Sequence, residues 1–216
     1  MNGFNLISLL DLLGTFAFAI SGIRLASGKN MDWFGAYVIG LVTAIGGGTT
    51  RDVLLDLTAF WILDPSYLLT TAFALLVTLL FREKIMLWGK PLFLFDTIGL
   101  GLFTIVGIGK SLEAGLPAWA CIMMGTITGS LGGVIRDVLI NEVPLLFRRD
   151  IYALACIAGG IVFFICQKTG LGSFSELVGA ASVILIRMLA VKFHIHLPTL
   201  IPEHIRNNSP GDSSEQ

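Results

Sequence analysis

The chain has 216 residues, of which 55% are hydrophobic and only 13% are charged, with a formal net charge of −1. Together with a mean hydropathy of +0.84, this composition excludes an ordinary soluble domain. It indicates an all-α protein that crosses a membrane several times, and we expect no nucleic-acid partner.

Seven mostly apolar segments follow one another along the chain. They lie near residues 4–23, 33–51, 66–81, 92–109, 117–138, 151–167 and 173–192. Each has roughly the 17 or more residues that a helix needs to cross a hydrocarbon core of about 30 Å. The sequence therefore predicts seven transmembrane helices.

The chain also repeats itself at an offset of 85 residues. Residues 11–74 align with 96–159 without a gap, and 16 of the 64 paired positions are identical. Each copy contains three predicted spans, an odd number, so the second copy enters the membrane from the opposite side. We predict a first three-helix repeat at 1–91, an inverted second repeat at 92–169, an added seventh helix at 170–201 and a disordered tail at 202–216.

Basic residues are distributed unevenly between the two sets of loops. Only Lys110 and Lys168 lie on one side. Ten lie on the other: Arg24, Lys29, Arg82, Lys84, Lys90, Arg148, Arg149, Arg187, Lys192 and Arg206. Because loops rich in Lys and Arg stay in the cytosol, we predict a cell inner-membrane protein with its N-terminus outside and its C-terminus in the cytosol.

Glycines distinguish the middle span of each repeat. Gly46, Gly47 and Gly48 are consecutive in the second span, and Gly132 and Gly133 occupy matching positions in the fifth. In a helix each glycine costs roughly 1 kcal/mol relative to alanine, so these runs predict a kink or an unwound turn in both spans. The alternative is that small residues only let two helix backbones approach closely.

An arginine-aspartate pair follows each glycine run, at identical positions of the two repeats: Arg51-Asp52 and Arg136-Asp137. Adjacent residues of a helix point about 100° apart, so we expect each arginine to find its carboxylate partner on another helix. Asp11 and Asp96, one in the first span of each repeat, are the candidate partners. Alternatively, these two aspartates make hydrogen bonds that only fix helix packing.

Kinked backbone would expose carbonyl oxygens beside several hydroxyl groups, those of Thr43, Thr49, Thr50, Thr128 and Ser130. Such oxygens replace the hydration shell of K⁺ or Na⁺. We therefore predict an ion pathway along the two glycine runs, Thr49 and the two Arg-Asp pairs, with no cofactor or bound metal. The alternative is that Arg51 and Arg136 lie near span ends and only anchor their helices at the membrane interface.

The seven spans, the repeat and the motifs Gly-Gly-Gly-Thr-Thr-Arg-Asp and Gly-Gly-Val-Ile-Arg-Asp resemble the prokaryotic branch of the trimeric intracellular cation channel family. Its domain has also been labelled a glycine-transporter domain, and the likeness covers about residues 5–195. The resemblance implies a homotrimer in membrane lipid, with a K⁺-conducting pore in each protomer and kinked second and fifth helices. It makes Arg51 and Arg136 charged residues along that pore. Leu131 stands where the first repeat has Gly46, which predicts a milder second kink.

We accordingly expect a channel for monovalent cations, K⁺ selective or K⁺/Na⁺ conducting, without enzymatic activity. A secondary transporter of a small metabolite such as glycine is the alternative, because inverted repeats with broken helices are typical of carriers. A third interpretation is a non-conducting scaffold, in which the glycines only pack and the arginines only anchor. For the channel, we expect neutralising Arg51 or Arg136 to change conductance more than folding.

Overall fold

The computed structural model describes residues 6–81, 91–147, 151–172 and 174–195, and all regular structure in these ranges is helical. The helices are, in chain order, α1 Leu6–Gly28, α2 Trp33–Leu54, α3 Phe60–Leu63, α4 Ser66–Leu80, α5 Pro91–Glu113, α6 Ala118–Leu139, α7 Ala153–Lys168 and α8 Phe174–Lys192. A single 3-10 turn covers Leu145–Phe147. The predicted disordered tail at 202–216 lies outside the described residues, as do the predicted cytosolic charges Arg82, Lys84, Lys90, Arg148, Arg149 and Arg206.

The all-α, multi-pass character predicted from the sequence is confirmed. Four described helices are long and apolar enough to cross a membrane, namely α1, α6, α8 and residues 93–113 of α5. Helices α4 and α7 are equally apolar but shorter, at 15 and 16 residues. Each of the seven predicted segments coincides with one helix of 15–23 residues. The four-residue helix α3 was not predicted. The count of seven membrane spans stays a prediction.

Helices α2 and α6 are α-helical without interruption through their glycine runs, so the predicted unwound turns are wrong, whereas a kink in each helix stays a prediction. The glycines instead allow a close crossing of these two helices. A methyl group on Gly47 would overlap the carbonyl oxygen of Thr128, and one on Gly132 would overlap that of Thr43. The close approach of two backbones accounts for the glycines that propensity alone disfavours.

The hydroxyl groups expected near a cation donate to their own helices. Each donates to the carbonyl oxygen four residues earlier, at 2.6–2.9 Å: Thr43, Thr49, Thr50, Thr128 and Ser130. The carbonyl oxygens of Ile45 and Gly46, beside the first glycine run, therefore accept a hydroxyl hydrogen bond. The ring of exposed carbonyl groups that an interrupted helix would supply is not formed here.

Equivalent residues of the two halves make reciprocal contacts in the core. Gly14 of α1 lies against Phe103 of α5, and Gly99 of α5 lies against Phe18 of α1. Phe18 and Phe103, themselves 85 residues apart, pack edge to face with ring centroids separated by 5.2 Å. An earlier residue of one helix thus meets a later residue of the other, so α1 and α5 run antiparallel. The contacts of Gly47 with Thr128 and of Gly132 with Thr43 give the same result for α2 and α6.

Gly47→Ala is expected to lower the melting temperature of the protein in detergent, because its methyl group must displace the backbone of Thr128. Forcing extra volume into a close contact costs about 1–3 kcal/mol. Gly28→Ala is the matched control, since an added methyl group there meets no atom within 4 Å. Thermal unfolding of the purified proteins gives the comparison. Equal melting temperatures for the two variants would show that the crossing tolerates a side chain.

Candidate functional site

Two clusters of buried charged residues lie at equivalent positions of the two halves. We name them the first cluster, formed by Asp11, Arg51, Asp52, Tyr67 and Lys110, and the second cluster, formed by Asp96, Arg136, Asp137, Tyr152 and Arg187. The two motif arginines are 1% and 0% exposed. A guanidinium group that is this deeply buried needs hydrogen-bonded anionic partners, so their identity decides what each cluster does.

Helix termination places both Arg-Asp pairs. Helices α2 and α6 end at Leu54 and Leu139, and each is followed two residues later by a residue with positive φ, 56° at Asp56 and 57° at Asn141. Asp and Asn tolerate this left-handed conformation better than other side chains. In both halves, the chain turns back so that a backbone N–H bonds to the carbonyl oxygen of the motif aspartate at 2.8 Å. The motif arginine and aspartate therefore occupy the last turn of each helix.

In both halves the motif arginine folds onto the aspartate beside it. Nε and Nη2 of Arg51 donate to Oδ1 of Asp52 at 2.9 and 2.6 Å. Nε of Arg136 donates to Oδ1 of Asp137 at 2.8 Å. The expectation that adjacent residues cannot pair is wrong, because the arginine side chain is long enough to reach around the last helical turn.

The remaining oxygen of each motif aspartate holds the chain that follows the helix. Oδ2 of Asp52 accepts from the backbone N–H of Phe60 at 2.9 Å, and Oδ2 of Asp137 accepts from that of Leu145 at 3.0 Å. Phe60 and Leu145 are equivalent in the repeat, and each begins a short helical turn. The aspartates therefore neutralise an arginine and fix a loop at the same time.

The second cluster joins three helices through Arg136. Its Nη1 donates to Oδ1 of Asp96 at 2.7 Å and to Oγ of Ser21 at 2.8 Å, in addition to the bond with Asp137. The structure thus brings Asp96 to the arginine of its own repeat and not to that of the other repeat. One arginine holds two buried carboxylates, of which Asp96 is 0% exposed.

The first cluster uses a different cation for its first-helix carboxylate. Oδ2 of Asp11 accepts from the hydroxyl of Tyr67 at 2.9 Å and from Nζ of Lys110 at 3.0 Å. Among the described residues, Arg51 forms its ion pair only with Asp52, so Asp11, a candidate partner of the motif arginines, pairs with neither of them. Lys110 comes from the last turn of α5, in the other half. Lys110 was expected from the sequence only as a loop charge.

An aromatic side chain from helix α3 packs over the first cluster. The ring of Phe60 lies 4.7 Å from Nζ of Lys110 and 5.7 Å from Cζ of Arg51, and packs edge to face on Tyr67 with centroids 4.4 Å apart. It also contacts Gly48. These distances are typical of cation–π contacts. Phe60 therefore belongs to the site, although the sequence gives no sign of it beyond one apolar residue in a connecting loop.

The second cluster takes its additional cation from α8, the helix outside the repeats. Arg187 is 0% exposed, and Cζ lies 4.6 Å from the ring centroid of Tyr152 and 5.1 Å from that of Phe93. Its Nη1 donates to the carbonyl oxygen of Ile151 at 3.2 Å. The prediction that Arg187 is a cytosolic loop charge is therefore wrong. The structure shows that α8 contributes to the site.

Each cluster consequently contains two cationic and two anionic side chains. In the first, Arg51 and Lys110 balance Asp11 and Asp52, and in the second the corresponding charges also sum to zero. The arginines are buried members of a network, and the interpretation of Arg51 and Arg136 as interfacial anchors is wrong. Among the described residues, no group of His, Cys, Asp and Glu has the arrangement of a metal site.

These features define a polytopic α-helical membrane protein with two similar halves, each carrying a buried, charge-balanced cluster. The family model described as Glycine transporter matches residues 8–83 and again residues 93–168, at the offset of 85 that the sequence shows. The two matches cover more than half of the chain. The chain belongs to this family.

Solved structures and curated relatives agree with this assignment. A trimeric intracellular cation (TRIC) channel orthologue from Rhodobacter sphaeroides is 32% identical, with a TM-score of 0.82 over 88% of this chain and 98% of that one. A second TRIC cation channel structure is 34% identical, with a TM-score of 0.80 over 92% and 98%. The UPF0126 inner membrane protein YadS of Escherichia coli K12 is 41% identical over 88% of this chain and 94% of its own. The resemblance to prokaryotic trimeric intracellular cation channels is thereby confirmed.

Proposed function

We propose that this protein is a channel for monovalent cations, with K⁺ as its main permeant ion. The observation that carries the proposal is the likeness over nearly the whole chain to solved structures that are described as TRIC cation channels. The two buried clusters give it a physical basis. A cation meets a barrier at a bare guanidinium group, and balancing carboxylates lower that barrier.

The proposed pathway runs through each protomer beside the two Arg-Asp pairs. Its candidate lining residues are those predicted from the sequence: Gly46, Gly47, Gly48, Thr49, Arg51, Asp52, Gly132, Gly133, Arg136 and Asp137. To these we add Asp11 and Lys110 of the first cluster and Asp96 and Arg187 of the second, because they complete the charge balance. A homotrimer in the inner membrane is proposed by analogy with the trimeric channels to which the fold is similar.

We further propose that the halves are inverted about an axis in the membrane plane, with seven spans in all. The antiparallel contacts of α1 with α5 and of α2 with α6 support inversion, since equivalent helices of an inverted repeat run in opposite directions. After removal of the buried Arg187 from the ten basic residues, nine remain against Lys110 and Lys168. The C-terminus is therefore assigned to the cytosol.

A cysteine introduced by Asp212→Cys is expected to react with a membrane-impermeant maleimide only from the cytosolic face, and one introduced by Asp64→Cys only from outside. Asp64 is exposed, in the loop between α3 and α4. The background should carry Cys166→Ser, because Cys121 and Cys156 are buried whereas Cys166 is partly accessible. Labelling of whole cells and of inverted vesicles gives both faces. The opposite pattern would reverse the orientation.

Purified protein in planar bilayers tests the function itself. We expect unitary K⁺ currents that persist when glycine is absent. Saturable glycine uptake into proteoliposomes without unitary currents would establish the alternative, a secondary transporter, which the name of the family model favours. The transporter alternative was based on interrupted helices, and neither α2 nor α6 is interrupted. Absence of both activities would leave the scaffold interpretation.

A further inference from the structure

The Tyr-Asp contact differs between the two clusters. In the first, the hydroxyl of Tyr67 donates directly to Oδ2 of Asp11 at 2.9 Å. In the second, neither the equivalent hydroxyl of Tyr152 nor Oδ2 of Asp96 has a hydrogen-bond partner among the described residues. Both residues are buried, at 2% and 0% exposure. A buried polar group without a partner costs about 1–3 kcal/mol, so two such groups on neighbouring side chains indicate a shared partner.

A third unpartnered group lies at the same place. Nη2 of Arg136 also lacks a hydrogen bond within the described ranges. This atom, the hydroxyl of Tyr152 and the other oxygen of the Asp96 carboxylate lie on one side of Gly133. A Cβ atom there would lie 3.2 Å from the hydroxyl of Tyr152, 3.6 Å from Nη2 of Arg136 and 3.6 Å from Oδ1 of Asp96. The Tyr152 hydroxyl, the Arg136 guanidinium group and the Asp96 carboxylate thus converge beside Gly133, where no side chain separates them.

The equivalent space in the first cluster is filled by protein. There, the ring of Phe60 packs against Gly48, the counterpart of Gly133. Leu145 is the counterpart of Phe60 and lacks its aromatic ring. Its aliphatic side chain is not among the nearest neighbours of Gly133. The two halves therefore differ in a specific way: an aromatic ring occupies one space, and three polar atoms surround the other.

We propose that a buried water molecule binds beside Gly133, bridging the Tyr152 hydroxyl, Asp96 Oδ2 and Arg136 Nη2. Water matches these partners, because it donates to the carboxylate and accepts from the guanidinium group, and buried waters make about three hydrogen bonds each. Arg136 and Asp96 present opposite charges to this position, so an ion of either sign gains no net attraction that neutral water lacks. The charge balance of the second cluster also favours a neutral ligand.

Crystals of the full chain, grown separately in rubidium chloride and in sodium bromide, test this proposal. We expect one density peak at hydrogen-bonding distance, about 2.7–3.2 Å, from all three groups, with no anomalous signal in either salt. An anomalous rubidium peak would identify a cation site and an anomalous bromide peak an anion site, and either would overturn the proposal. Absence of any peak in well-ordered density would do the same.

Gly133→Ala supplies the matched structural variant. Its methyl group lies 3.2 Å from the Tyr152 hydroxyl and 3.6 Å from Arg136 Nη2, which leaves too little room for a water between them. The density peak should therefore be lost while Arg136 keeps its bonds to Asp96 and Asp137. A retained peak would contradict the assignment. Tyr67→Phe is the control, because it removes a direct bond in the other half and should leave the peak unchanged. If Gly133→Ala does not fold, crystals of the unmodified chain still decide. The result does not depend on whether the protein conducts ions.

Discussion

Arg136→Ala is expected to abolish most of the folded protein, with a loss of about 3–5 kcal/mol in the free energy of unfolding. The reason is that Arg136 pairs with both Asp96 and Asp137, and its removal leaves two buried carboxylates without their direct ion-pair partner. Fluorescence-detected size-exclusion chromatography after heating measures the remaining folded fraction. From the sequence, loss of either motif arginine was expected to change conductance more than folding. The contacts of Arg136 instead predict that its loss mainly affects folding.

Arg51→Ala at the equivalent position is the internal control. Within the described part of the chain Arg51 pairs with Asp52 alone, and Asp52 keeps the backbone N–H of Phe60 as a donor. This variant should therefore be milder and suitable for conductance measurements. Arg136→Lys should rescue only partly, because one ammonium group cannot reproduce the divergent donors of the guanidinium. Equal loss of folded protein in the two alanine variants would contradict the assigned difference between the clusters.

A double-mutant cycle separates the charge effect from lost packing. Adding Asp96→Asn to Arg136→Ala removes one of the two uncompensated charges, so the double variant should be more stable than Arg136→Ala alone. Asp96→Asn alone should be destabilising, because it removes the partner of a buried guanidinium group. Additive losses in the double variant would mean that the two residues stabilise the fold independently.

The sequence was most informative where a physical constraint acts on both copies of the repeat. The offset of 85 residues paired the Arg-Asp motifs and the two first-helix aspartates, and the family model matches twice at the same offset. The same offset paired Gly47 with Gly132, the two glycines at the crossing of α2 and α6. Sequence left two purposes open, because a glycine run is equally compatible with an interrupted helix and with a close crossing, and the contacts of Gly47 and Gly132 support the crossing.

The residues that sequence analysis missed are those that break the repeat symmetry. Lys110 aligns with Leu25 and Phe60 with Leu145, while Arg187 lies outside the repeat and has no counterpart, so no internal comparison marks these three residues. Their roles depend on contacts between the halves or with α8. Lys110 has one weak signal, since it is a basic residue directly after the apolar segment 92–109.

Lys110→Ala is expected to increase the unitary K⁺ conductance about fivefold. The substitution changes the first cluster from neutral to a net charge of −1, because Asp11 and Asp52 then face Arg51 alone. Two unit charges at about 4 Å interact by about 1 kcal/mol even in bulk water, and a barrier lower by that amount raises a rate roughly fivefold. Single-channel recording in symmetric KCl measures the change. This expectation depends on the proposed channel function.

Lys29→Ala is the matched control for the loss of one positive charge. Lys29 pairs with Glu142 at 2.8 Å, but their side chains are 42% and 40% exposed, so solvent and salt screen the pair and conductance should not change. Lys110→Arg should stay close to the unmodified channel because it keeps the charge opposite Asp11. A fivefold increase in both alanine variants would indicate a general surface-charge effect. Unchanged conductance in Lys110→Ala would place the path of the ion away from Asp11, since a carboxylate that is stripped of its cation inside a pore must alter the local concentration of K⁺.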